Sequence, residues 1–113
     1  MLEVDVVRIS VIVPIYNVKL YIERCVRSLM EQTLENIEFI FVNDCTPDDS
    51  MDILHYVLEE YPKRREQIKI IEHETNRGIS AVRNTGLKNA TGQYIIYCDS
   101  DDWIERDMYE KLL

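Results

Sequence analysis

Three carboxylates crowd into four positions, Asp99-Ser100-Asp101-Asp102, directly after the apolar run Tyr94-Ile95-Ile96-Tyr97-Cys98. Such crowding costs repulsion unless a cation or a proton relieves it. A hard divalent ion, Mg²⁺ or Mn²⁺, matches oxygen ligands, takes one or two carboxylates from the protein and completes its shell with phosphate oxygens and water. The competing reading is a solvated acidic turn that caps a tail helix, with Glu105 and Asp107 adding to its first-turn charge. Position at the end of an apolar strand favours the metal.

Other candidates stand after other apolar runs. Asp44 follows Ile37–Val42, where a carboxylate could accept an N–H from a pyrimidine base or a ribose hydroxyl, or simply close an Asx-type turn. Tyr16 follows Ile9–Val13 and could stack on a base or serve as packing. Arg83, next to Asn84, reads as a solvated helical arginine unless its helix brings it near the same rim. His55 and His73 lack the spacing of metal ligands and read as structural. With glycine only at 78, 86 and 92, neither G-x-x-x-x-G-K-[ST] nor G-x-G-x-x-G is present, so any phosphate would depend on a metal instead of a glycine cradle.

Alternating strands and helices must position these residues. Ile9–Val13 is β-branched and apolar enough for a strand covered on both faces, with Pro14 predicted to end it. From Leu20, the spacing of Ile22, Cys25, Val26, Leu29 and Met30 predicts a helix. Ile37–Val42 is a second strand. Thr46 is predicted to cap the next helix, with Pro47 at its first position and Asp49 completing a capping-box-like start. That helix buries Ile53, Val57, Leu58 and Tyr61, and Pro62 stops it. Ile68–Ile71 is a third strand, followed by a helix carrying Ile79, Val82, Gly86, Leu87 and Ala90 and ending at Thr91-Gly92. Tyr94–Cys98 reads as a fourth, buried strand, and Glu105–Leu113 as a short helix. This alternation predicts an α/β, three-layer, Rossmann-like parallel sheet of order 3-2-1-4 with right-handed crossovers. Ligands of such sheets sit outside the carboxyl ends of the strands, where strand order reverses.

A chain of 113 residues, 46% hydrophobic, buries one core and reads as one domain over 1–113. Thirteen basic against 21 acidic residues give a net charge of -8 without a Lys/Arg cluster, which disfavours nucleic acid as a partner. Cys25, Cys45 and Cys98 form no C-x-x-C pair, and their odd number excludes a complete intramolecular disulfide framework, so a reducing, cytoplasmic setting is expected. The stretch Ile9–Ile15, broken by Ser10 and Pro14, is too short to cross a bilayer, and the acidic N-terminus is unlike a signal peptide.

Four loops taken together carry a resemblance. Ser10-Val11-Ile12-Val13-Pro14-Ile15-Tyr16-Asn17; Val42-Asn43-Asp44 with Asp48-Asp49-Ser50; Asn76-Arg77-Gly78 with Ala81-Val82-Arg83-Asn84-Thr85-Gly86; and Asp99-Ser100-Asp101-Asp102 resemble, in the expected order, the family 2 glycosyltransferases of the GT-A fold. The resemblance implies a metal-dependent transferase of polysaccharide biosynthesis that binds a nucleoside-diphosphate sugar, most simply a UDP-sugar, and transfers it to a carbohydrate or lipid-linked hydroxyl. It places Pro14, Tyr16, Asp44, Arg83 and Asp99 at the donor. Tyr16 would flank the base, Asp44 would bind the base edge, Arg83 would stabilise the nucleotide pocket and Asp99 would contact the ribose side. Asp101 and Asp102 would hold Mg²⁺ or Mn²⁺ on the diphosphate.

The chain departs from the family's common V-D-D-G-S-x-D-x-S at Val42-Asn43-Asp44-Cys45-Thr46-Pro47-Asp48-Asp49-Ser50. An amide replaces the first acid, weakening base recognition at 43, and a Cβ at 45 argues against positive φ there. The family's acceptor site and catalytic base lie well downstream of the acidic run, which here is followed by only eleven residues. The expectation is therefore a donor-binding part of a longer enzyme, inefficient in transfer by itself, prone to self-association, and located in the cytoplasm or at the inner face of a membrane. Two rival classes are weaker. One is a non-catalytic module, either receiver-like, which would want acids where Tyr16-Asn17 stands, or a degenerate transferase half serving as a protein interface; the other, a dinucleotide-dependent oxidoreductase, would want the glycine fingerprint.

Overall fold

A computed structural model describes residues 6–113. The elements follow as β1 (Ile9–Ile15), α1 (Ile22–Met30), β2 (Ile37–Asn43), α2 (Ser50–Leu58), β3 (Ile68–Glu72), α3 (Ile79–Lys88), β4 (Tyr94–Tyr97) and α4 (Met108–Leu112), with a 3-10 turn over Pro62–Gln67. The four strands form one sheet in the order β3-β2-β1-β4, with every pairing parallel, as the alternation of elements predicts. Strand order reverses beside β1, between it and β4. The reading of the acidic N-terminus falls largely on residues 1–5, outside the described residues.

Side-chain alternation along β1 divides the core into two layers. Ile9, Val11, Val13 and Ile15 pack with Cys25, Val26 and Leu29 of α1, Leu54 and Val57 of α2, and Phe39 and Phe41 of β2. Ile12, Ile40 and Val42 face the opposite way, onto Val82 of α3. Each fully buried Ile, Leu or Phe contributes about 1.5–3 kcal/mol, so this double-sided burial makes β1 and β2 the rigid base of the rim. Gly86 lets α3 lie close to the sheet, because a Cβ there would run into the Ile12 side chain.

Several boundaries differ from the sequence expectation for identifiable reasons. Pro14 lies inside β1, opposite Val42, instead of ending it. Cys98 N–H donates to Ile12 O at 3.0 Å, and alternation turns the Pro14 nitrogen toward the same side, beyond the last β4 pairing, where no ladder bond is lost. β4 stops at Tyr97 and is a half-exposed edge, not a buried strand, because no described strand covers its outer side. Leu20 is exposed, and α1 begins two residues later. On α3 only Val82 and Gly86 are buried, while Ile79 and Leu87 face outward. The tail helix is limited to Met108–Leu112 and is anchored by the buried Tyr109. Among the described residues no helix is long and apolar enough to cross a membrane.

Candidate functional site

Asp44 stands immediately beyond β2 and is only 3% exposed, so its carboxylate must find its partners within the protein. It finds three. His73 Nδ1 and the Arg77 backbone N–H each donate to Oδ1 at 2.9 Å, and the Gly78 backbone N–H donates to Oδ2 at 2.9 Å. Burial pushes the carboxyl pKa up, but donation from Arg77, His73 and Gly78 outweighs it and holds the group below its ordinary value. Gly78 adopts φ 90 and leads into α3, a backbone conformation that glycine allows. The ends of β2 and β3 and the start of α3 therefore meet on one carboxylate.

A second set of bonds laces the loop after β1 to the loop after β2. Asn17 N–H donates to Thr46 Oγ1 at 2.9 Å, Val18 N–H to Ser50 Oγ at 3.1 Å and Lys19 N–H to Asp48 Oδ2 at 3.2 Å. Asp48 Oδ1 accepts from Thr46 Oγ1, Ser50 N and Ser50 Oγ. Burial raises the Asp48 pKa, yet donation from Ser50 and Thr46 prevails and leaves it at about 2. The helix start predicted at Thr46 and Pro47 is thus displaced to Ser50, because Asp48, not Thr46, supplies the local acceptor. Asn43 donates to Glu72 Oε1 at 3.1 Å and accepts from Thr46 N at 2.9 Å, so its amide is spent within the loop. Cys45 adopts φ 58, against the expectation drawn from its Cβ. The turn between the Asn43 amide and the Thr46–Asp48 bonds imposes that conformation on an exposed residue whose thiol lies 3.5 Å from Glu74 O.

The acidic run begins just beyond β4. Its preceding residue, Cys98, is held to β1 by the bond to Ile12, and Asp102 N–H closes a turn onto Asp99 O at 3.0 Å. The next segment is fastened to α1 and to Gln32 just after it: Ile104 N–H donates to Ser28 Oγ at 3.2 Å, Gln32 Nε2 to Glu105 O at 2.6 Å, and the Arg24 guanidinium lies 4.4 Å from the Trp103 ring centroid. Cys25 and Cys98, distant in sequence, meet here, with Sγ atoms 3.7 and 3.8 Å from the same Asp99 O. Asp99, Asp101 and Asp102 are exposed, and each offers a carboxylate oxygen within 4.8 Å of the others. Among the described residues none of the three is in an ion pair. An all-oxygen set of converging, unpaired carboxylates fits a hard divalent cation.

Beside Asp44 opens a cleft of about 260 Å³ lined by Pro14, Tyr16, Asp44, Asn76, Gly78, Ile79 and Val82. Three of the five sequence candidates for a nucleotide, Pro14, Tyr16 and Asp44, share its wall, and Tyr16 is 42% exposed. Asp99 lies with the acidic group after β4. Arg83 is not among the lining residues, since its guanidinium sits 5.1 Å over the Tyr97 ring on the β4 side of α3. A larger cleft of about 670 Å³ opens at the amino ends of β2 and β3. Its Arg64 is already committed to the carbonyls of Met30, Gln32 and Leu34, which makes it a brace for the end of α1.

Sequence reasoning missed His73, Thr85 and Asp48. His73 reads as structural because its partners are 29 and 12 residues away; the structure places Asp44 on Nδ1 and Thr85 Oγ1 on Nε2, at 2.7 Å. The one available signal was a histidine at the mouth of a strand, facing the rim.

Residues 10–113 match the sequence profile of Glycosyl transferase family 2. The chain is 48% identical over 104 residues to the uncharacterized glycosyltransferase EpsJ of Bacillus subtilis (strain 168), covering 92% of this chain and 29% of EpsJ. Its fold matches S. aureus TarS 1-349 in complex with UDP with a TM-score of 0.80 at 33% identity, over 93% of this chain and 30% of that TarS 1-349 chain. The mannosyltransferase PcManGT from Pyrobaculum calidifontis, in complex with GDP-Man and Mn²⁺, matches with a TM-score of 0.82 at 28% identity, over 90% of this chain and 30% of PcManGT. The chain spans about three tenths of the length of EpsJ and PcManGT and 18% of TarS.

Proposed function

From the premise that the chain belongs to Glycosyl transferase family 2, we propose that it binds a nucleoside-diphosphate sugar, with uridine as the nucleoside, for transfer to a carbohydrate or lipid-linked hydroxyl. The observation that carries this reading is one rim bearing both a base-sized cleft closed by Asp44 and three converging carboxylates.

Counting acceptors favours uracil over guanine. Oδ1 of Asp44 is saturated by two donors and Oδ2 has one, which leaves a single open acceptor on a cleft-lining residue. Uracil presents one N–H on that edge. Guanine presents two side by side and would want both oxygens. Tyr16 offers a half-exposed ring to the base face, and Pro14 a rigid wall beside it. The complex of TarS with UDP supports uridine, while the complex of PcManGT with GDP-Man leaves guanosine as the alternative to exclude.

Asp101 and Asp102 would hold Mg²⁺ or Mn²⁺, with Asp99 on the ribose side. A bound divalent ion supplies positive charge against the departing diphosphate. The protein's share is to fix those carboxylates through the Cys98–Ile12 bond and the fastening of Ile104 to α1 and of Glu105 to Gln32 just after it. Arg83 adds positive charge near the rim from over Tyr97. No residue of this chain is assigned as the base that deprotonates the acceptor, and the 113 residues alone are expected to bind donor without efficient transfer. The half-exposed edge of β4, with Tyr94 and Tyr97, is expected to promote self-association. Light scattering giving a monomer at micromolar and higher concentration would contradict that. Three free thiols suit a reducing, cytoplasmic setting.

Titration with UDP, GDP and UMP in the presence of Mn²⁺ tests the reading. UDP should bind more tightly than GDP, and more tightly than UMP, which lacks the second phosphate. Equal affinity for all three would refute it.

A further inference from the structure

We infer that His73 is a positioning residue for base recognition: with Thr85 behind it, the imidazole fixes the Asp44 carboxylate so that its one open acceptor faces the cleft. This rests on the reading of Asp44 as the group that meets the base.

The donor inventory sets the direction of each bond. A carboxylate can only accept, so His73 Nδ1, 2.9 Å from Asp44 Oδ1, carries a proton. In the neutral ring Nε2 is then an acceptor, and Thr85 Oγ1 at 2.7 Å donates to it. Asp44 thus sets the tautomer, and Thr85, in the second turn of α3, holds the other ring nitrogen. The His73 backbone is itself fixed, its N–H donating to Asn43 O at 2.8 Å as an extension of the β2–β3 ladder. A chain of bonds runs from α3 through β3 to the end of β2.

The two backbone donors, Arg77 and Gly78, occupy one site on each oxygen of Asp44. By themselves they would leave an open acceptor on each oxygen, the pattern that suits guanine's paired N–H groups. His73 fills the second site on Oδ1 and leaves Oδ2 alone. Its side chain is 5% exposed, so water does not readily replace it. The histidine therefore does more than fill space between β3 and α3, since it converts a two-acceptor edge into a one-acceptor edge.

The test measures UDP and GDP affinity, with Mn²⁺, for the 113-residue chain and its variants, with near-UV circular dichroism to monitor folding. His73→Leu should weaken UDP about tenfold, the loss expected for one buried hydrogen bond, and lower the UDP-to-GDP ratio while pyrophosphate binding is unchanged. His73→Asn, which keeps an N–H close to the Nδ1 position, should retain most of the ratio. In an Asp44→Asn background, His73→Leu should cost nothing further, because the histidine acts through that carboxylate. An unchanged ratio in a folded His73→Leu variant, or an equal loss in both backgrounds, overturns the inference. If His73→Leu fails to fold, Thr85→Val decides: a severalfold fall in the ratio supports the inference, and no change overturns it. A native chain that does not distinguish UDP from GDP, or an Asp44→Asn variant with native UDP affinity, overturns the base reading itself and the inference with it.

Discussion

The backbone N–H of Gly78 meets Oδ2 of Asp44 at 2.9 Å, joining the residue just before α3 to the one just beyond β2. The bond exists because Gly78 adopts φ 90 and ψ 169, which turns its N–H toward the carboxylate. The start of α3 and the acceptor on the cleft wall are consequently set by one backbone conformation.

Gly78→Ala should destabilise the protein by about 1–3 kcal/mol, the cost of holding an L residue in that region. A Cβ there has nothing within 4 Å, so the loss would come from the backbone and not from a clash. Urea denaturation measures it, and a variant as stable as the native chain would contradict the assignment.

Cys45 holds a left-handed conformation with a side chain attached, at φ 58. Cys45→Gly should melt at or above the native temperature. Cys45→Val should melt lower, by about 1–2 kcal/mol in stability, because branching at Cβ worsens the crowding. Thermal melts that place valine above glycine would show that the turn does not require this conformation.

How far the sequence revealed these features depended on the range of the interactions involved. Strand order, the two-sided burial of β1 and the rim that gathers Tyr16, Asp44 and Asp99 to Asp102 were legible, because apolar periodicity and parallel crossovers are local rules with global consequences. The partners of Asp44 were not, since His73 and Gly78 reach it only after β3 has been placed beside β2. Cys45 shows the limit of propensity: bonds made by Asn43, Thr46 and Asp48 override the preference of one residue. Arg83 lies over Tyr97 and not on the cleft wall, a pairing that depends on where β4 ends.

Acid should unfold the protein in part through Asp48. Its folded pKa, about 2, lies below the ordinary value of about 3.9. Its contribution is therefore complete above the ordinary value and is lost as pH falls toward about 2. Asp44 and Glu38 are depressed in the same direction and steepen the loss. Asp48→Asn should flatten the dependence of stability on pH between about 4 and 2. Urea midpoints measured across that window check it, and identical slopes for native and variant chains would rule the account out.

Glu38 occupies the opposite rim, where it is nearly buried and accepts from Ser10 Oγ, Thr91 N and Thr91 Oγ1 and pairs with Lys69 Nζ at 3.0 Å. Glu38→Leu should cost about 2–4 kcal/mol by leaving those donors unpaired. UDP affinity should be unchanged in the folded variant. Loss of UDP binding with an intact fold would mean that the two rims are coupled.

The acidic run gives the most direct test of the whole account. Calorimetric titration of UDP into the native chain should show binding that strengthens at least tenfold when Mn²⁺ is added, and Asp101→Asn should abolish that gain while leaving the fold and the weak metal-free binding intact. UDP affinity independent of Mn²⁺, or a gain that survives Asp101→Asn, would contradict the claim that Asp101 and Asp102 hold the metal of a donor site.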